Sequence, residues 1–115
     1  MTKIAKTSEI KFLVHLDDKH VPEAIEWQAS DAAEPGSQAA KAVVLAIWDQ
    51  EAQSTLRIDL WTKEMPVDEM SEFVYQTLST LADSYRNATG NGEAATALKR
   101  AGEDFIRAAR AAEGD

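Results

Sequence analysis

The hydrophobic pattern of the chain changes its period at Val67, and this change constrains the fold more than any other feature. Before Val67, apolar and polar residues alternate, as they do in strands with one buried face. From Val67 onward, apolar residues recur every three or four positions, which indicates amphipathic helices. Strands followed by helices are typical of an α+β domain. We therefore expect a four-stranded antiparallel sheet followed by two helices packed on one of its faces.

The first two strands are expected to form a hairpin within a single domain spanning residues 1–115. A chain of 115 residues with 44% hydrophobic content is enough to build one core. Two alternating runs flank the turn-forming residues Asp17 to Lys19. In the first strand, one face carries Ile10, Phe12, Val14 and Leu16 and the other carries Lys11 and His15. In the second strand, one face carries Ile25, Trp27 and Ala29 and the other carries Glu26 and Gln28.

The third and fourth strands follow a surface loop that we expect between Ser30 and Gln38, where Pro35 and Gly36 favour a turn. The third strand, Lys41 to Trp48, is apolar on both faces, as is expected for a central strand covered on two sides. The fourth strand alternates Leu56, Ile58 and Leu60 with Arg57, Asp59 and Trp61. All four strands are expected between about residues 8 and 63.

Two helices are expected at residues 67–89 and 93–111. Pro66 suits the first turn because proline lacks a donor that would be unused there, and Asp68 and Glu69 meet the positive end of the helix dipole. We interpret Gly90-Asn91-Gly92 as a cap and a turn between the helices, not as an anion-binding loop. The expected apolar positions are Val67, Met70, Phe73, Val74, Thr77, Leu78, Leu81 and Tyr85 in the first helix, and Leu98, Ala101, Phe105, Ile106 and Ala109 in the second.

The charge of the chain argues against several classes of partner. Twenty acidic residues against twelve basic ones give a net charge of -8. This charge repels phosphate backbones and anionic lipid surfaces, so we expect no nucleic acid partner. No apolar run approaches the roughly 20 residues of a spanning helix, so we expect no membrane insertion. The segment from Met1 to Lys11 lacks the apolar core of a signal peptide, which favours a cytoplasmic location.

No catalytic residue, cofactor or metal is expected. The chain has no cysteine, and no serine lies in the G-x-S-x-G pattern of a hydrolase. His15, Asp17, Asp18 and His20 are the one cluster with metal-like ligand types, but their spacing matches no metal-binding motif. An exposed strand end followed by an acidic turn accounts for them.

A candidate interaction surface is formed by Arg57, Asp59, Trp61 and Lys63, which alternate with the aliphatic residues of the fourth strand. If the aliphatic row meets the helices, Trp61 lies on the outer face of the sheet beside one apolar row of the third strand. Tryptophan and arginine are enriched at binding hot spots, and large exposed apolar patches mark interaction surfaces. We therefore expect this face to bind protein or to self-associate, unless the sheet curls or the N-terminal segment covers it.

The stretch from Thr55 to Thr89, TLRIDLWTKEMPVDEMSEFVYQTLSTLADSYRNAT, resembles the gliding motility protein GldC family of the Bacteroidota. The upstream segments KTSEIKFLVHLD, VPEAIEWQASD and AKAVVLAIWD match that family in order, so the resemblance covers about Lys6 to Asn91. It implies a role in bacterial gliding motility and supplies no catalytic residues. The positions that match the family motif are Arg57, Asp59, Trp61, Lys63, Asp68, Glu69 and Met70.

The order of strands and helices is also similar to the subunit of the secretion chaperone SecB, an acidic cytoplasmic protein that holds unfolded exported chains. We therefore expect a noncatalytic, oligomeric adaptor or chaperone-like protein that supports gliding motility by binding motility or secretion components. The alternative is a small-ligand binding domain or an enzyme with a pocket between sheet and helices, lined by Trp48, Trp61 and Tyr85. A third possibility is a structural member of a larger motility assembly.

Overall fold

The computed structural model describes residues 3–32 and 36–114 and confirms the α+β class. These residues form two compact units, the first ending at Met65 and the second beginning at Pro66. The elements are β1 Ile10–Leu16, β2 Pro22–Ala29, β3 Gln38–Ala40, β4 Ala42–Trp48, β5 Thr55–Trp61, α1 Val67–Thr89 and α2 Gly92–Ala112. Met1 and Pro35, which entered the expectations for the N-terminal segment and the first loop, lie outside the described residues. A single domain with both helices on one face of the sheet stays a prediction.

The first unit contains two antiparallel sheets, of order β1-β2-β3 and β4-β5, where one four-stranded sheet was expected. The expected third strand, Lys41 to Trp48, is β4 and pairs with β5, but a short strand that was not expected, β3, precedes Lys41 and pairs with β2. The Lys41 carbonyl accepts hydrogen bonds from the backbone nitrogen and Oγ1 of buried Thr62, at 2.8 and 3.1 Å. The prediction of one sheet is wrong because an apolar run that continues through a bend gives no sign that its partner strand changes.

The hairpin of β1 and β2 forms as the alternation predicts. Val14 pairs with Ile25 and Phe12 with Trp27, so their apolar side chains share one face of the sheet. Ile25 is only 1% exposed and is the largest fully buried side chain among the described residues. On the opposite face, Nε2 of His15 lies 2.6 Å from an oxygen of Glu26. The β1–β2 hairpin is therefore apolar on one side and mainly polar on the other, where Leu13 is the large apolar exception.

The two helices form a hairpin joined at Gly90 and Asn91. Gly90 adopts a left-handed φ of 76°, and its N–H donates to the carbonyl of Arg86, which ends α1. Asn91 caps α2, because its Oδ1 accepts a 3.0 Å hydrogen bond from the backbone nitrogen of Ala94. The turn interpretation is confirmed, and the helices begin and end within one residue of the expected bounds. Within residues 3–32 and 36–114, neither helix combines the length and the apolar character needed to cross a bilayer.

The contact between α1 and α2 uses small residues on a side of α1 other than the centre of its apolar stripe. Ser71, Ala82 and Gly102 are buried, and a Cβ added at Gly102 would lie 3.4 Å from the Cβ of Leu78 and 3.7 Å from the ring of Tyr75. The expected stripe is centred about 90° away around α1, because successive residues turn by about 100°. Three of its members are exposed: Val67, Leu81 and Tyr85.

Candidate interaction surface

The register of the β4–β5 hairpin decides which side chains share a face, because directly paired residues of an antiparallel sheet point to the same side. One row of β4 pairs throughout with aliphatic residues of β5: Val43 with Leu60, Leu45 with Ile58, and Ile47 with Leu56. We call these six side chains the aliphatic face. Ile47, Leu56 and Ile58 are 46%, 54% and 50% exposed. Much of the aliphatic face is therefore in contact with solvent.

The opposite side of the hairpin, which we call the tryptophan face, combines small, apolar and charged residues. Its members are Ala42, Val44, Ala46 and Trp48 of β4 and Thr55, Arg57, Asp59 and Trp61 of β5. The register thus places the β4 row that ends in Trp48 on the same face as Arg57, Asp59 and Trp61. The alternation in the sequence had left open which of the two β4 rows lies there. Trp48 and Trp61 are 67% and 56% exposed. Apolar side chains therefore meet solvent on both sides of this hairpin.

A polar turn holds β4 and β5 in this register. The N–H of Asp49 donates to the carbonyl of Ser54 at 2.9 Å, and the N–H of Gln53 donates to the carbonyl of Asp49 at 3.0 Å. The Asp49 carboxylate also accepts a 2.7 Å hydrogen bond from the backbone nitrogen of Ala52. Gln53 adopts a φ of 51°, which is uncommon for a residue other than glycine. These bonds determine that Trp48 and Thr55 lie side by side at this end of the tryptophan face.

Arg57 and Asp59 form an ion pair within the tryptophan face. Nη2 of Arg57 lies 3.0 Å from Oδ1 of Asp59. The two residues are two positions apart along β5, so both side chains project to the same side of the sheet. Each side chain is about half exposed, so solvent screens the pair, and it contributes on the order of 0–1 kcal/mol to stability. Its main effect is to place one positive and one negative charge side by side in the middle of β5.

The structure places Lys63 apart from the other three predicted surface residues. β5 ends at Trp61, and the Lys63 ammonium lies 2.6 Å from Oδ2 of Asp17 in the turn after β1. Oδ1 of Asp17 accepts hydrogen bonds from the backbone nitrogens of Lys19 and Val21, at 2.8 and 3.0 Å. The ammonium and these backbone donors lower the pKa of Asp17 to about 2. Lys63 thus joins two parts of the first unit.

The other groupings that the sequence suggested are not brought together. Trp48 and Trp61 lie at opposite ends of the hairpin, about 20 Å apart at about 3.4 Å per residue, which is too far for both rings to line one small pocket. His15 contacts Glu26, and Asp17 contacts Lys63. In the described part of the chain, no three His, Cys, Asp or Glu side chains are placed to hold a metal ion.

Trp48 is a surface residue that the sequence named only for the alternative pocket, since the alternation left open which row of the third strand faces outward. It is the most exposed large apolar residue of the β4–β5 hairpin. The available signal was its position at the end of an apolar strand, directly before the polar segment Asp49 to Ser54. A side chain at a strand end next to a polar turn has few neighbours to cover it, so an indole ring there is a candidate contact residue.

Comparison with known proteins identifies a family. The family model described as gliding motility-associated protein GldC-like matches residues 22–111. This match begins at β2 and continues into α2, whereas the resemblance seen in the sequence ran from about Lys6 to Asn91. No curated protein and no solved structure gives a significant match, and the likeness to SecB stays a prediction. Because the matched residues make up most of the chain, this protein belongs to the gliding motility-associated GldC-like family.

Proposed function

We propose that this chain is a noncatalytic protein-binding component of bacterial gliding motility, an adaptor or chaperone-like protein that holds apolar segments of other proteins on its β4–β5 hairpin. The observation that carries the proposal is the exposure of apolar side chains on both faces of this hairpin. Membership of the GldC-like family supports the motility context. The partners in this proposal are other motility or secretion components, met in the cytoplasm.

The aliphatic face suits partners that offer apolar side chains without a required pattern of polar groups. Its exposed members Ile47, Leu56 and Ile58 have no hydrogen-bonding atoms in their side chains, so they select by size and apolar character alone. Fully burying one aliphatic side chain is worth roughly 1.5–3 kcal/mol. A few such contacts are enough to hold an unfolded segment. The binding stays reversible because the loss of conformational entropy in the ordered segment offsets part of this gain.

The tryptophan face adds two fixed anchors. Trp48 and Trp61 lie about 20 Å apart, which is the length of about six residues of extended chain. The Arg57 and Asp59 side chains lie between them and can donate to and accept from the backbone of such a segment. An extended segment with bulky side chains near both ends therefore fits this face well.

The charge of the chain narrows the class of partner further. A net charge of -8 repels acidic segments and attracts basic ones, chiefly by changing the rate of encounter. Unfolded segments rich in apolar and basic residues are therefore the preferred partners under this proposal. Raised salt should weaken binding to basic segments more than binding to neutral ones, since only the former depends on charge.

Fluorescently labelled, reduced and carboxymethylated lactalbumin, a permanently unfolded chain, tests the proposal in about 0.5 M salt, which screens the repulsion between two acidic proteins and leaves the apolar contacts. We expect the protein to raise the anisotropy of this probe in a saturable manner. Ile47→Ser and Trp48→Ser, one on each face, should each weaken binding by about tenfold or more, as truncation of contact hot spots does. Ile4→Ser replaces an exposed apolar residue outside the hairpin and should bind like the wild type.

Two results would contradict the proposal. In the first, the wild-type protein leaves the anisotropy unchanged at its highest soluble concentration, and an apolar dye finds no surface to bind. In the second, Ile4→Ser weakens binding as much as Trp48→Ser does, which would mean that general stickiness and not the hairpin holds the probe. Far-UV circular dichroism of each variant checks that it is folded.

A further inference from the structure

We propose that two copies of this chain associate through the outer edge of β5, so that their hairpins join into one four-stranded sheet of order β4-β5-β5-β4. The twofold axis of this dimer passes through Ile58. The inference goes beyond the proposed function, because it uses the backbone edge of the hairpin instead of its faces and assigns that edge to a second copy of the same chain.

The hydrogen bonds between β5 and β4 show which backbone groups of β5 point to its outer edge. No described strand pairs with that edge. The N–H of Thr62 donates to the carbonyl of Lys41, and the N–H of Asp49 donates to the carbonyl of Ser54. Because bonding alternates along an antiparallel ladder, the even-numbered residues of β5 bond to β4 and the odd-numbered residues point outward. The N–H and C=O groups at the outer edge belong to Thr55, Arg57, Asp59 and Trp61.

A second copy can pair with this edge when outward-pointing residues of one strand face outward-pointing residues of the other. Antiparallel pairing about Ile58 meets this condition. It places Arg57 opposite Asp59 of the second copy and Thr55 opposite Trp61 of the second copy, with the reciprocal pairs across the axis. About eight backbone hydrogen bonds would form in this register, two for each bonded pair.

The charges of Arg57 and Asp59 favour this register over the two registers in which the axis is shifted by one residue. Pairing about Ile58 places two pairs of opposite charge directly across the interface. Centring the axis on Arg57 would oppose two guanidinium groups, and centring it on Asp59 would oppose two carboxylates, and like charges directly opposite one another destabilise a sheet. The ion pair within each copy, with its 3.0 Å separation, would become half of a four-charge cluster of alternating sign.

The apolar side chains also match in this register. On the aliphatic face, Leu56 lies opposite Leu60 of the second copy, and Ile58 lies opposite its own counterpart, in the closely spaced non-bonded pairs of the ladder. On the tryptophan face, Thr55 lies between Trp48 of its own hairpin and Trp61 of the second copy. The two aliphatic faces become one continuous surface of twice the size.

The local properties of β5 favour such pairing. A two-stranded sheet is marginal by itself, and three or more strands with an apolar face are more stable. Thr55–Trp61 contains no proline and pairs with β4 without a bulge, and its two charges are of opposite sign, so they oppose pairing only in the registers that bring like charges together. By contrast, β1 carries Lys11 and has a register shift between His15 and Leu16. The edge of β5 is therefore the better template for a second chain.

Charge-exchange variants test this interface by light scattering coupled to gel filtration. We expect the wild type at twice the mass of one chain. Arg57→Asp and Asp59→Arg should each raise the dimer dissociation constant by at least about tenfold, because each variant opposes like charges to like. An equimolar mixture of the two single variants should recover the doubled mass, and so should the double variant R57D/D59R, because both restore opposite charges across the axis.

Arg107→Asp, which reverses an exposed charge of the same sign on α2, is the control and should keep the wild-type mass. A wild type that is monomeric at every concentration would overturn the dimer. Single variants that dimerise like the wild type, or a mixture that stays monomeric although both variants are folded, would overturn the interface. If the dimer is not found but the protein still binds unfolded lactalbumin in a Trp48-dependent manner, the dimer is wrong and the proposed function stands. If the dimer is found but the protein does not bind unfolded lactalbumin, the dimer stands and the proposed function is wrong.

Discussion

The ammonium group of Lys63 lies 2.6 Å from Oδ2 of Asp17, which links the end of β5 to the turn after β1. This contact, together with backbone hydrogen bonds from Val21 and Lys19, lowers the pKa of Asp17 from 3.8 to about 2. Folding therefore favours the ionised carboxylate. The resulting contribution to the free energy of unfolding is complete above about pH 4 and is lost as the pH falls from about 4 to about 2.

Asp17→Asn should flatten the acid side of the stability profile. We expect the variant to be less stable than the wild type at neutral pH and to lose less stability between about pH 4 and pH 2, since the titrating group is gone. Urea unfolding at a series of pH values measures both effects. Asp18→Asn removes the same charge from the neighbouring position of the turn and serves as the control. Equal acid sensitivity of Asp17→Asn and the wild type would show that Asp17 is not the group responsible.

Gly102 should tolerate alanine but not valine. A Cβ at this position would lie 3.4 Å from the Cβ of Leu78 and 3.7 Å from the ring of Tyr75, which are ordinary contact distances. Because alanine is the better helix former, Gly102→Ala should raise the free energy of unfolding by up to about 1 kcal/mol. Gly102→Val adds two more methyl groups at a buried contact and should lower it by about 1–3 kcal/mol.

Gly92 provides the matched control for that pair of variants. It also lies in α2, but nothing lies within 4 Å of a Cβ added there. Gly92→Val should therefore change the free energy of unfolding by no more than about 0.5 kcal/mol, the usual range for surface substitutions. Urea unfolding followed by circular dichroism compares the variants. If valine lowers the free energy of unfolding by the same amount at Gly92 and at Gly102, α1 and α2 do not approach closely at Gly102.

Local signals in the sequence predicted the helix ends and the faces of the strands. Gly90 ends α1 because a left-handed residue follows the helix there, and Asn91 supplies the cap of α2, so each depends only on its neighbours. The bend at Lys41 and the contact of Lys63 with Asp17 join residues that are distant in the sequence. No local period encodes such contacts, so neither could be predicted. Of the four residues predicted for the candidate surface, Arg57, Asp59 and Trp61 share one face of β5, whereas Lys63 contacts Asp17 instead. Trp48 lies on the same face, in a row of the third strand that the alternation left open.

The cap at Asn91 should be worth a measurable part of the stability of the second unit. Its Oδ1 accepts a hydrogen bond from the backbone nitrogen of Ala94, one of the donors that have no partner within the first turn of α2. Asn91→Ala should lower the free energy of unfolding by about 1 kcal/mol. Asn91→Asp keeps the accepting oxygen and should stay within about 0.5 kcal/mol of the wild type. If alanine and aspartate behave alike in urea unfolding, the hydrogen bond does not stabilise α2.

Ile25 and Trp61 should separate stability from binding. Ile25 is 1% exposed, so Ile25→Ala leaves a cavity in the core and should cost about 2–5 kcal/mol of unfolding free energy. Trp61 is 56% exposed, so Trp61→Ala should cost much less, on the order of 1 kcal/mol, while weakening the binding of unfolded lactalbumin by about tenfold. Urea unfolding and probe anisotropy, measured on the same preparations, compare the two variants. A large loss of stability in Trp61→Ala would mean that its indole belongs to the core, and the tryptophan face would then lose one of its two anchors.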